Sequence, residues 1–116
     1  MKSTATPDWR SDVLKFWFAL GYDDWWKGKA ELDHRIRQNF LKLWAERRQL
    51  PVETFVSDPL TALAAVILFD QFPRNMFRGT PRAFATDTTA LEIARRAIGR
   101  GFDKDVDPQV RTFFYL

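Results

Sequence analysis

Residues 60–69, LTALAAVILF, are apolar nearly all the way round a helical wheel, and this run limits the chain's choices more than any other feature. A helix with no wet face must be surrounded by other helices. Ala62, Ala64 and Ala65 are small enough to let those neighbours come close. The rest of the chain has to supply the surrounding layer, and it is rich in side chains suited to it. Aromatic residues make up 16% of the sequence, including five Trp and eleven Phe, and each buries a large area. At 116 residues the chain is expected to form one domain, 1–116, burying about two thirds of its unfolded surface.

The start and stop signals around that run describe an all-α protein. Thr6, Pro7 and Asp8 read as a cap, a first-turn proline and an acidic first turn, opening a helix that stops at Gly21. At about 100° per residue, Trp9, Val13, Leu14, Phe16, Trp17 and Leu20 share one face of it. A second helix is predicted over 30–48, with Leu32, Ile36, Phe40, Leu43 and Trp44 inward and Pro51 beyond its end. Ser57, Asp58 and Pro59 start the central helix, which Pro73 is expected to close. A fourth helix is expected from Thr80-Pro81 to Arg100, with Phe84, Ala90, Leu91, Ala94, Ala97 and Ile98 inward. A fifth opens at Asp107-Pro108 and ends in Phe113, Phe114, Tyr115 and Leu116. The fold class is an antiparallel array of about five helices.

The central run ends in a highly charged stretch, DQFPRNMFRGTPRAFATD. On the wheel Asp70 falls between Leu63 and Val66, on an apolar face and at the negative end of the helix dipole. A carboxylate so placed needs cations or several donors, and Arg74 and Arg78 follow within two turns. Asp87 lies between Ala94 and Ile98 in angle and so also faces inward. The cluster admits two readings: an ion network that fixes how two helices cross, or a binding pocket that uses the same groups. The candidate binding residues are Asp70, Arg74, Asn75, Arg78, Arg82 and Asp87. Trp25 and Trp26 either add apolar contacts to the site or cover the edge of the core. If Arg74 pairs a buried Asp70, removing it should cost on the order of 3–5 kcal/mol.

Other chemistries find little support. There are no cysteines, which excludes disulfides and thiolate metal sites. His34, the one histidine, projects on the polar side of its helix, so no metal site is expected. No Ser-His-Asp set and no phosphate-cradling glycine loop is present, and no catalytic residue or cofactor is assigned. An acid–base site using Asp70 and Asp87 remains as an alternative, although neighbouring arginines lower carboxylate pKa values rather than raise them. The net charge of +3 concentrates in arginines between positions 74 and 100. No basic block interleaved with aromatics appears, and Asp23 and Asp24 sit beside the tryptophan pair, so nucleic-acid association is the weaker alternative. No apolar run reaches the length of a membrane span and no leader pattern opens the chain, which makes a cytoplasmic protein the plain expectation.

The stretch LFDQFPRNMFRGTPRAFATD resembles the signature of the bacterial domain of unknown function 924 family. DVLKFWF resembles the family's opening motif, Trp25-Trp26 stands where a Trp-Phe pair is usual, and GFDKDV and RTFFYL resemble its later segments. The resemblance implies an all-helical, tetratricopeptide-like α-α superhelix. It implies no assigned activity. Members of the family are usually longer, continuing with a Pro-Phe-Glu-His-Ser-Glu-like motif that is absent before Leu116. Any chemistry that needs that histidine is therefore not expected of this chain alone.

These readings converge on a helical binding or scaffold module for a protein, a peptide or a small anionic group, held where the arginines cluster. The apolar end of the chain, Phe113, Phe114 and Leu116, either packs back on the domain or joins two copies as a homodimer.

Overall fold

Asp8 begins the first helix, its carboxylate accepting from the Ser11 amide at 3.4 Å. Residues 8–20, 29–108 and 110–115 are described by the computed structural model. Among these residues every regular element is helical, and no helix is long and apolar enough to cross a membrane. Trp25, Trp26 and Leu116 lie outside the described residues.

Helix α1 is Trp9–Ala19, with Val13 fully buried and Trp9, Leu14, Phe16 and Trp17 packed partly against the core. Helix α2, Lys29–Arg47, buries Leu32, Ile36, Phe40 and Trp44 at helical spacing. It buries one more residue, Asp33. A 3₁₀ turn, Val52–Phe55, leads to α3, Pro59–Val66. Asp58 caps α3 through a 2.8 Å bond from the Thr61 amide, with Pro59 in the first turn. The predicted central helix is central: residues 61–70 are all buried. Helix α1 packs against α3.

Pro73 does not close this rod. The chain widens into a π-helical stretch, Ile67–Gln71, and continues as α4, Phe72–Met76. A proline ring inside an α-helix clashes with the carbonyl four residues earlier and lacks the N–H that would bind it. The wider turn relieves that conflict, because the Phe72 amide bonds back to Ile67 O, five residues away. The Phe69 carbonyl is the one that residue 73 would bond in a regular α-helix, and a proline cannot. The Thr86 hydroxyl donates to it at 2.6 Å, and Trp44 Nε1 donates to the same hydroxyl at 3.1 Å.

The fourth predicted helix is shorter than expected. Pro81–Phe84 is a separate 3₁₀ turn, and α5 is Asp87–Gly99. Gly101 follows with φ +79°, a left-handed conformation that glycine adopts without strain. The inner face of α5 is Ala90, Ile93, Ala94 and Ala97. Phe84, Leu91 and Ile98, predicted inward, are exposed. A stripe at i, i+3, i+4 and i+7 made mostly of alanine lets α5 sit close against α3, and the bulkier side chains turn outward.

The fifth predicted helix is a 3₁₀ turn, Arg111–Phe114. Phe114 is buried in the common core, and Phe113 meets Trp17 and Phe18 edge-on at 6.3 and 5.6 Å. Phe16, Phe40 and Phe72 stack between α1, α2 and α4, with centroids of Phe40 and Phe72 4.7 Å apart.

Candidate binding cleft

Because the rod runs on through Pro73, the basic residues after it are presented on a short helix, α4, that packs against α2. Asn75 and Met76 face inward, and Arg74 faces outward. Arg74 Nη2 lies 3.0 Å from Asp70 Oδ1 and 3.5 Å from Asp87 Oδ2, while its Nε donates to the Asp70 carbonyl at 3.1 Å. Gln71 Nε2 donates to the other oxygen of Asp70 at 2.7 Å. The predicted Asp70–Arg74 pair therefore forms, and Asp87 joins it. Asp87 is the first residue of α5, where the helix dipole favours a carboxylate. It is only half-buried, with a side-chain exposure of 37%.

Arg78 does not reach Asp70. It holds Asp33 in a two-pronged pair, Nε to Oδ2 at 2.7 Å and Nη2 to Oδ1 at 2.9 Å. Asn75 Nδ2 also donates to Asp33 Oδ1, at 2.9 Å. Burial of Asp33 pushes its pKa up, but hydrogen bonds from Arg78 and Asn75 and the charges of Arg78 and Arg37 outweigh this and leave it below its ordinary value. Arg37 in turn donates to the Met76 carbonyl at the end of α4, through Nε at 3.1 Å and also through Nη2. Asp33 and Arg37 belong to the junction, and sequence reasoning missed both. The signal for Asp33 was present: at i+1 from Leu32 and i−3 from Ile36, it falls on the inner arc of α2.

In front of these pairs lies a cavity of about 550 Å³, lined by Arg74, Arg78, Thr80, Pro81, Ala83 and Phe84. The Arg74 guanidinium sits 5.4 Å from the Phe84 ring centroid, and Phe84 is 56% exposed. Among the described residues no bond engages Nη1 of Arg74 or of Arg78. Asp70 and Asn75 lie behind the cleft as anchors and do not line it. Arg82 does not line the cleft; it lies over the Phe77 ring at 5.4 Å, on an adjoining hollow that shares Thr80 and Pro81 with it. The described residues hold no cluster of His, Cys, Asp or Glu able to bind a metal ion.

An all-helical domain with an Asp-Gln-Phe-Pro-Arg-Asn junction at its centre has a match among known proteins. The model of the family described as "Bacterial protein of unknown function (DUF924)" matches residues 13–116, and the chain belongs to that family. A solved structure, "Structure of Protein of Unknown Function ATU0120 from Agrobacterium tumefaciens", is 37% identical and superposes with a TM-score of 0.78. The match covers 91% of this chain and 60% of that one. No functionally curated protein matches.

Proposed function

We propose that the chain is a binding module whose cleft takes a peptide segment of another protein. In this reading an anionic side chain, carboxylate or phosphate, meets Arg74 and Arg78, and a neighbouring apolar residue rests on Phe84, Pro81 and Ala83. One observation carries the reading. Arg78 is held from behind by the Asp33 carboxylate through Nε and Nη2, and Arg74 by the Asp70 carboxylate through Nη2 and the Asp70 carbonyl through Nε, beside an exposed aromatic ring, so among the described residues Nη1 of each is pre-oriented without a partner. The low pKa of Asp33 suits an anchor rather than a proton donor, which favours binding over acid–base chemistry at this place.

The test is fluorescence anisotropy with labelled peptides that place Glu or phosphoserine two residues from Leu or Phe, each paired with a control carrying Gln or Ser. The anionic peptides should bind at least tenfold more tightly than their controls. Phe84→Ser, a surface change, should weaken binding at least fivefold while leaving the melting curve in place. Equal binding of charged and neutral peptides, or indifference to Phe84→Ser, would sink the reading.

A further inference from the structure

A second hollow, of about 300 Å³, lies where the start of α1, the end of α2 and the cap of α3 meet. It shares no lining residue with the cleft. Two arginines line it, and their circumstances differ. Arg10 donates through Nε to Asp8 at 2.8 Å and through Nη1 to Thr61 Oγ1 at 2.9 Å and Asp58 Oδ2 at 3.3 Å, so two carboxylates balance its charge. Arg47 is partly buried and lies over the Trp9 ring at 5.7 Å, yet among the described residues it makes neither an ion pair nor a side-chain hydrogen bond. Its Nε is buried with no acceptor. A half-buried cation with no counter-charge is unfavourable unless something supplies one.

The nearby carboxylate does not. Asp58 accepts from the amide and hydroxyl of Thr61, from Ser57 and from Arg10, so its oxygens are committed to the start of α3. Of the other walls, Leu50, Phe55 and the Trp9 ring are apolar, and Thr54 and Ser57 are polar but uncharged. We infer that this hollow binds a small organic carboxylate, with Arg47 as its counter-charge and its short tail against Leu50, Phe55 and the Trp9 ring. One uncompensated cation matches one negative charge. A doubly charged phosphate would bring excess charge next to Asp58. The volume is at the lower limit for small-molecule sites and fits a short-chain or monocyclic acid.

The experiment is a titration of the full chain, labelled with ¹⁵N, following the Arg47 Nε–H resonance, which is assigned by its loss in Arg47→Lys. The probes are hexanoate, hexanamide and inorganic phosphate. Hexanoate should shift that resonance saturably, with at least tenfold tighter binding than either of the others. Arg47→Met should abolish hexanoate binding without lowering the melting temperature, since among the described residues Arg47 makes no ion pair and no side-chain hydrogen bond. Absence of saturation, an equal response to hexanamide, tighter binding of phosphate, or unchanged binding in Arg47→Met would each overturn the assignment.

Discussion

Asp33 shows how one side chain can anchor a junction. It is 8% exposed and bonded to Arg78 and Asn75. Removing it strands a guanidinium and an amide, so Asp33→Ala should lower unfolding stability by about 3 kcal/mol in urea denaturation. Its pH dependence has a definite sign. The carboxyl's pKa is lower in the folded chain than its ordinary 3.8, so the unfolded chain takes up the proton first as pH falls. The stabilisation is therefore complete well above pH 3.8 and is lost as pH drops through the folded value. Urea midpoints measured from about pH 6 to pH 2.5 should fall less in Asp33→Asn than in the parent chain. Arg74 is a weaker case than its sequence position implied. Its side chain is 47% exposed, and Gln71 shares Asp70 with it. Arg74→Ala should cost about 1–2 kcal/mol rather than the 3–5 expected for a fully buried pair.

At the scale of elements, the continuation of the central rod through Pro73 depends on a residue from another segment. Thr86 receives a bond from Trp44 on α2 and donates one to the Phe69 carbonyl, tying α2, the π-helical stretch and the start of α5 together. Thr86→Val keeps the shape and removes both bonds, leaving two buried groups unpaired. The expected loss is about 2–4 kcal/mol by thermal or urea unfolding. Thr86→Ser retains the hydroxyl and should recover more than half of that loss. If Val and Ser variants were equally stable, the hydroxyl would not be what completes the interrupted ladder.

At the scale of the whole molecule, Phe113 and Phe114 pack into the domain's own core, while Tyr115 is exposed. Phe114 is 1% exposed, and truncating it to Ala should cost about 3–5 kcal/mol. That loss should be the same at two protein concentrations tenfold apart, with solution mass followed by light scattering. A loss that grew on dilution would place Phe114 between two copies instead. Glu53 joins the turn before α3 to α5 by pairing with Arg96 at 2.7 Å and Arg100 at 3.1 Å, on an exposed surface where salt will screen it. The chain spans 60% of the length of the Agrobacterium relative, so the fold described is the part the two share.

Features set by neighbours along the chain were legible in the sequence. The apolar run required a buried central helix, Asp58 announced a helix start, Gly101 announced a stop, and Asp70 four residues before Arg74 implied their pair; the first helix is capped by Asp8, which the sequence pattern places in its first turn. Such features follow from local geometry, which repeats every few residues. Tertiary structure decided what depends on distant partners. Asp33 meets Asn75 and Arg78 across 42 and 45 positions, and Trp44 meets Thr86 across 42. The same holds for Pro73, whose ring ends an isolated helix. Here the rod continues because a π-helical turn makes room and a hydroxyl from another segment bonds the carbonyl that the proline cannot.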